Sequence, residues 1–235
     1  MKTCLLRLML LLMAPVGAQA ATLEAVAVDS YRPLKAAEAE SIGEGFEADW
    51  LVRLGEALGY NIVPIVITGE GQLRFGQLGP VAAYYSSEIS ALTASEAGPD
   101  GWAELAGEPF CVTAGSPHAG VVVGRFGGVA HIYPSTAQAL IGLKLGECQA
   151  VVGDLVLLRQ IAELPEWRRY SRLLPALGDA HVTLSVATAD IALQQRIEQF
   201  TASREGQDAL AEVTQHWIEE VAFQAYVLAD TLDCH

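Results

Sequence analysis

Hydrophobic and polar positions along this chain alternate between two periods, which indicates strands interleaved with helices. Short apolar runs with strand character cover 23–28, 61–68, 81–93, 110–113, 129–133, 150–152 and 182–187. Between them, apolar residues recur at helical spacing over 45–59, 135–145, 155–161, 190–200 and 205–221. This alternation predicts an α/β fold with parallel strands.

The predicted helices carry signals for their ends. Gly59 is placed to end the first helix in a left-handed conformation, and Ser135 and Asp190 are placed to cap the starts of two later helices. The interval 69–79 is rich in glycine and has little periodicity, so we expect a loop there. The tail 222–235 shows no clear pattern.

The first twenty residues have the features of a secretory signal. Lys2 and Arg7 precede or border an apolar run over 8–13, and Ala18 and Ala20 form a small-x-small cleavage site. After cleavage no other apolar stretch is long enough to span a bilayer. The sequence therefore predicts a secreted protein without membrane insertion, and a periplasmic one in a Gram-negative source.

Charge and cysteine content exclude several classes of partner and site. The formal net charge is −14, and loss of the signal would remove two basic residues. Such a charge disfavours nucleic acid and anionic lipid surfaces. Cys111, Cys148 and Cys234 would remain, and their spacing does not decide which two pair. Without a CxxC or His/Cys cluster, we predict no metal and no cofactor.

Asp154 ends the buried strand 150–152 and is the first candidate for a binding residue. The carboxyl ends of strands in open α/β sheets are where ligands bind. A carboxylate at this place can equally cap the following helix. From the local sequence both interpretations stay open.

Four blocks, taken in order, resemble a known family. Residues 28–34 resemble its first strand and loop, and 45–51 resemble its Gly-Phe-Asp-x-Asp-Leu helix start. Residues 102–116 resemble a block that ends in Gly-Ser/Thr, and 133–154 resemble a capped helix followed by Asp-Ala-Val-Val-Gly-Asp. The chain thus resembles the bacterial extracytoplasmic solute-binding protein family 3, which includes the periplasmic polar amino acid receptors.

The resemblance implies a two-lobed α/β fold of the periplasmic binding protein type (type II). Lobe one would comprise 22–88 plus 188–221, and lobe two would comprise 95–182. The chain would cross between the lobes at 83–92 and 182–188, and 222–235 would be a tail.

The resemblance also implies a ligand site in the cleft between the lobes. Asp154 matches the residue that takes a ligand ammonium, and Gly115 with Ser116 matches the turn that donates to a ligand carboxylate. Tyr31 matches an aromatic that lines the cleft, although a loop aromatic covering the core is an equal alternative. Further candidates are Asp29, at the end of the first strand, and His118, which is either a pH-sensitive contact or an exposed residue without a role.

One element of the family pattern is missing. The interval 69–79 is too short for the usual helix and strand, so lobe one is predicted to be reduced. No Thr-x-x-Arg phrase follows, and Arg74 is the nearest guanidinium, either facing the cleft or solvated in a loop. A bidentate arginine has no equivalent for holding a carboxylate, so its loss weakens the prediction of an amino acid ligand.

Three functions follow from the resemblance. The first is a non-enzymatic binding protein that delivers a small polar or amino acid-like solute to an ABC transporter permease. The alternative is an accessory protein without a transport role, with a periplasmic partner such as a dehydrogenase. An enzyme of the dehydratase type is a third reading, which we disfavour because the sequence lacks paired carboxylates or a nucleophile–base phrase.

Overall fold

The computed structural model describes residues 20–38, 40–65 and 71–232, so the predicted signal and Cys234 lie outside the described residues. The elements of this part alternate as the sequence pattern predicts. The strands are β1 (Ala21–Ala27), β2 (Tyr60–Ile65), β3 (Leu73–Gly76), β4 (Ala83–Thr93), β5 (Pro109–Thr113), β6 (Val129–Tyr133), β7 (Ala150–Asp154), β8 (Arg172–Leu173) and β9 (Leu177–Ala187). The α-helices are α1 (Phe46–Leu58), α2 (His118–Phe126), α3 (Thr136–Lys144), α4 (Leu155–Glu163), α5 (Ile191–Ala202) and α6 (Arg204–Leu232).

The predicted helix ends are confirmed. Gly59 follows α1 with a φ of 75°, a left-handed conformation that glycine adopts without strain. The Ser135 hydroxyl accepts a hydrogen bond from the Gln138 backbone at the start of α3. The Asp190 carboxylate accepts from two backbone N–H groups at the start of α5. These contacts involve groups within three residues, which is why the local sequence predicts them.

The strands form one curved sheet in the order β2-β1-β3-β9-β4-β7-β5-β6, with β8 added beside β4. Parallel pairs occur at both ends of the sheet, β1 with β2 and β3, and β5 with β6 and β7. In its middle the long strands β4 and β9 are antiparallel to each other and to their neighbours. These two strands cover the predicted crossovers, so the chain passes twice between a β2-β1-β3 end and a β7-β5-β6 end.

The expectation that 69–79 lacks a strand is wrong. Leu73–Gly76 forms β3, with Leu73 and Phe75 buried and Arg74 exposed. β3 pairs in parallel with β1, on the side opposite to β2, and antiparallel with β9. The strand was missed because a four-residue alternation flanked by glycines gives a weak signal.

The expectation that the chain lacks a pattern after 221 is also wrong. Helix α6 continues to Leu232, and Val221 and Ala225 on it are fully buried. Neither glycine nor proline interrupts 207–232, so nothing in the chain ends the helix at 221.

Helix α6 packs on both ends of the sheet. Near its middle the Trp217 indole donates to Asp49 of α1 over 2.8 Å. Farther along, Leu228 lies beside Ile141 and Leu145 at the end of α3. Buried residues of α1, α3, α4 and α6 belong to one continuous hydrophobic core. In the described ranges no helix has the length and apolar character needed to cross a membrane.

A disulfide joins Cys111 of β5 to Cys148 in the turn before β7. Both cysteines are buried. The bond therefore settles the pairing that the sequence left open, and it ties together two neighbouring strands of the β7-β5-β6 end.

Candidate functional site

Four of the predicted site residues line one small cavity at the middle of the sheet. Tyr31 comes from the loop after β1, Ser116 comes from the turn after β5, His118 begins α2, and Asp154 ends β7. The cavity has a volume of about 10 Å³. A space of this size holds about one water molecule at most. The structure therefore brings these four residues together without leaving room for a solute.

The Asp154 carboxylate is bonded within the protein. Its Oδ2 accepts from the Tyr31 hydroxyl over 2.5 Å, and its Oδ1 lies 2.9 Å from Nε2 of His118. The Tyr31 hydroxyl is also 3.3 Å from that Nε2. A carboxylate only accepts hydrogen bonds, so the phenol and the imidazole Nε2–H are its donors. Tyr31 and His118 thus occupy the positions beside Asp154 at which the family resemblance would place a ligand ammonium.

His118 is 1% exposed, so the alternative of an exposed histidine without contacts is wrong. Its ring packs edge-on against Tyr31, with the ring centroids 5.6 Å apart. Within the described residues its Nδ1 has no hydrogen-bond partner. The hydrogen bonds of the imidazole ring to the described residues are therefore made by Nε2, and the ring also packs on Tyr31.

Asp154 stands at the N-cap position of α4, but its side chain does not cap that helix. Instead the hydroxyl of Ser87, on β4, accepts a hydrogen bond from the Val156 backbone over 3.3 Å. The capping interpretation is therefore wrong for the Asp154 side chain. Ser87 lies more than sixty positions before Asp154, so the local sequence around α4 does not predict this cap.

The turn predicted to hold a ligand carboxylate is also bonded internally. The Ser116 backbone donates to the Thr113 carbonyl over 3.1 Å, and the Ser116 hydroxyl accepts from the His118 backbone. Gly115 has a φ of 78°, and a Cβ placed on it would lie 2.9 Å from the Ser30 carbonyl oxygen. The turn after β5 therefore touches the loop after β1, and only glycine fits there.

The other two candidates lie elsewhere. Asp29 accepts from the Tyr31 and Gln77 backbones over 3.0 and 2.8 Å, so it shapes the loop that carries Tyr31. Arg74, on β3, lines a separate cavity of about 1010 Å³ with Gln72 and Asp190. The described residues contain no group of three or more His, Cys, Asp or Glu side chains that could hold a metal ion.

Burial controls the ionisation of the phenols around Asp154. Burial, then the negative charge of Asp154, raises the pKa of Tyr31 well above its usual value. The same two causes, in the same order, raise the pKa of Tyr85 well above the usual value. Both phenols are therefore neutral at physiological pH, and Tyr31 has its proton available for Asp154.

A buried ion pair that the sequence analysis did not predict lies next to this cluster in the chain. The Arg32 Nε lies 2.6 Å from the Glu47 carboxylate, and Arg32 also reaches Glu40 over 3.6 Å. Burial raises the pKa of Glu47, while Arg32 opposes that rise. Arg32 thus pairs with carboxylates of the protein itself, and it does not take the place of the carboxylate-binding arginine of the family pattern.

Two further hydrogen bonds cross the same junction and were also missed. The Thr136 backbone donates to the Lys35 carbonyl over 3.0 Å, and the Gln138 side chain donates to Glu38 over 3.3 Å. They join the loop after β1 to the start of α3. Contacts between residues about a hundred positions apart leave no trace in local patterns.

Solved structures of other proteins share this architecture. No family model matches the sequence, and no curated protein matches it. A mutant of ArgBP from T. maritima is similar in structure, with a TM-score of 0.58 and 16% identity, over 85% of this chain and 96% of that chain. The chain has the fold of the amino acid-binding periplasmic proteins. The predicted two-lobed α/β architecture is therefore confirmed.

Two other solved structures share this fold. One is an arginine transport system periplasmic binding protein from Legionella pneumophila, with a TM-score of 0.57 and 15% identity over 84% of this chain and all of that chain. Another is an ancestral amino acid-binding protein described as a precursor of cyclohexadienyl dehydratase, with a TM-score of 0.60 and 14% identity, covering 84% of this chain and 96% of that one. At such identities the similarity concerns the fold alone.

Proposed function

We propose that this protein is an exported accessory protein that uses the two-lobed fold in a permanently closed form and acts through a protein partner. The observation that carries the proposal is the internal bonding of Asp154 by Tyr31 and His118 in a cavity of about 10 Å³. An amino acid receptor needs an empty, polar site of solute size when its lobes close.

Contacts on two sides of the cavity support a closed form. The turn at Gly115 touches Ser30, and the backbone bond from Thr136 to Lys35 crosses the same junction. On the outside, α6 packs against both α1 and α3. Hinge opening would break these contacts together, so a ligand would have to supply enough binding energy to replace them.

Export is part of the proposal and has two supports. One is the signal pattern of residues 1–20, and the other is the disulfide between Cys111 and Cys148. Disulfides persist in oxidising compartments such as the bacterial periplasm. We therefore propose a periplasmic location.

Thermal unfolding in the presence of a solute panel tests the proposal. The panel comprises the common amino acids, small amines and small carboxylic acids, each at about 10 mM. A receptor with a Kd of about 10 µM would gain about 4 kcal/mol under these conditions, and its Tm would rise by roughly 8–16 °C. We expect shifts below about 1 °C for every compound. A shift of receptor size with any of them would disprove the closed form.

A second candidate is a solute-binding protein that feeds a transporter, favoured by the convergence of Tyr31, Ser116, His118 and Asp154. If the lobes open, a small amine could take the place of the Tyr31 hydroxyl at Asp154. This candidate predicts a Tm increase with an amine and loss of that increase in Asp154→Asn. In the closed form the cavity has no space for a solute beside Asp154, so this candidate requires opening of the lobes.

A further inference from the structure

The last turns of α6 carry an apolar stripe that faces solvent. Phe223 and Tyr226 are 55% and 56% exposed, and Val227 is 38% exposed. The spacing i, i+3, i+4 places the three on one side of the helix. On the opposite side Val221 and Ala225 are fully buried. The stripe therefore points away from the core of the molecule.

The fold does not require large apolar side chains at these positions. Exposed aromatic residues contribute little to burial, and they favour helix less than alanine or leucine. In the part of the chain that the structure describes, Phe223 and Tyr226 are the aromatic side chains with more than half of their surface exposed. Two of them one helical turn apart form an apolar surface that is available for contact.

Negative charges without cationic partners border the stripe. Glu219 and Asp230 are exposed on the same side of α6, and Glu220 lies at its margin. Neutral amides of Gln215 and Gln224 donate to Glu219 and Glu220 over 2.8 Å. No ion pair among the described residues involves any of the three acids. The surface is thus an apolar centre with an acidic rim.

We propose that this stripe docks into an apolar groove, bordered by lysine or arginine, on a protein partner. The arrangement is that of a helix laid into a groove with anchors at i, i+3 and i+4. Charge decides between possible occupants, because the acidic rim attracts a basic border and repels an anionic lipid surface. A second copy of the chain would bring two acidic rims together. The inference rests on the proposed accessory function, for which it supplies the contact surface.

A labelled synthetic helix-turn-helix peptide, whose two amphipathic helices form a leucine-lined groove bordered by lysine, is the probe. Fluorescence anisotropy of this peptide is measured with the full chain and with a Phe223→Ser/Tyr226→Ser variant. We expect the double substitution to weaken binding at least about tenfold, because a few large anchors supply most of the affinity of such interfaces. A peptide with glutamate in place of lysine should not bind.

The matched control is Val52→Ser, since Val52 is 50% exposed and lies beside Asp49 and Glu56 on α1. It should leave peptide binding within about twofold of the original protein. Glu219→Gln/Asp230→Asn should weaken binding several-fold and reduce its salt dependence. Circular dichroism melts of all variants should agree within about 2 °C, since every substituted residue is exposed.

Equal binding of the lysine peptide by the double variant would overturn the proposal, because attraction would then depend on net charge alone. Sedimentation gives a second opposing outcome, a dimer of the original protein that is lost in Phe223→Ser/Tyr226→Ser, which would assign the stripe to a second copy. These outcomes concern the stripe alone. A solute that raises the Tm would instead contradict the closed accessory form, whatever the peptide does.

Discussion

At the scale of single residues, the Asp154 carboxylate is the group on which the state of the cleft depends. It is 2% exposed, and it receives hydrogen bonds from Tyr31 and His118 on opposite sides of the predicted cleft. Leaving a buried carboxylate without donors is costly. The three side chains therefore stabilise the closed arrangement as a unit.

Replacing Tyr31 by phenylalanine should destabilise the protein even though no ligand is present. The substitution removes the phenol that donates to Oδ2 of Asp154 and leaves the ring in place. A hydrogen bond to a charged group contributes about 1.5–3 kcal/mol, so the free energy of unfolding in urea should fall by about 2 kcal/mol.

The control for this experiment is Tyr226→Phe, because Tyr226 is more than half exposed. It should change the free energy of unfolding by less than about 0.5 kcal/mol. If Tyr31→Phe is equally neutral, the hydrogen bond to Asp154 does not contribute to the folded state, and the closed arrangement loses its main support.

Single residues also show which parts of the site the sequence could predict. Ser135 and Asp190 cap helices through groups two or three positions away, so composition at the helix start was enough. The bond between Tyr31 and Asp154 joins residues 123 positions apart. The family resemblance predicts that both residues lie at one cleft, but it does not predict that they bond to each other.

At the scale of elements, the pairing of Cys111 with Cys148 ties β5 to the start of β7. A bond between cysteines at a sequence separation of 37 stabilises a protein by about 3–4 kcal/mol in the chain-entropy description. The variant Cys111→Ala/Cys148→Ala should lose about that much in urea unfolding. An unchanged midpoint would mean that the unfolded chain is not constrained by this bond.

Helix α6 offers a second test at this scale. Ala225 is fully buried, so Ala225→Gln inserts a longer polar side chain into packed surroundings. Overpacking costs about 1–3 kcal/mol, and we expect a fall of that size in the free energy of unfolding. The neighbouring Tyr226→Gln serves as control and should be nearly neutral. Equal effects of the two changes would show that the last turns of α6 are not packed on the core.

The two missed elements have a common physical explanation. β3 is only four residues long, so its own sequence pattern is too short to predict a strand. It is stabilised by pairing with β1 and β9. In the last turns of α6, Ala225 is fully buried while Leu228 and Ala229 are only partly buried, so the buried face of this segment gives a weak sequence pattern. Longer elements such as α1, with Trp50 and Leu54 buried, were predictable because their amphipathic pattern is strong.

At the scale of the whole molecule, closure predicts a single distance between the two ends of the sheet. Spin labels at Val52 on α1 and Val123 on α2, both about half exposed, report that distance in a Cys234→Ser background. We expect one narrow distribution that L-arginine and L-glutamate leave unchanged. A broad or ligand-dependent distribution would show that the lobes move.

Alkaline titration tests the burial of the phenols across the molecule. Burial raises the pKa of Tyr31, Tyr84 and Tyr85 well above the usual value, and burial with the Glu147 hydrogen bond raises the pKa of Tyr133 to about 12. Near-ultraviolet absorbance at about pH 11 should therefore show at least four of the seven tyrosines still neutral in the folded protein.

The same shifts fix the direction of the pH dependence. Their folded pKa values lie above the unfolded value of about 10, so the folded state retains protons that the unfolded state releases. Stability should fall as pH rises beyond about 10, by about 1.4 kcal/mol per pH unit for each of the three buried phenols, Tyr31, Tyr84 and Tyr85. Folded protein in which all tyrosines ionise together near pH 10 would contradict the burial of this cluster.

The position of α6 in the chain has a consequence for the order of folding. α6 follows every other described element, yet it packs on α1 from the first part of the chain and on α3 from its middle. The pairing of β3 with β9 likewise joins segments that are more than a hundred residues apart. Contacts of such separation form slowly, because a long segment must close before they stabilise anything. The contacts of α6 with α1 and α3 therefore cannot form before the last described helix has left the ribosome, and late completion of the core would suit the export that we propose.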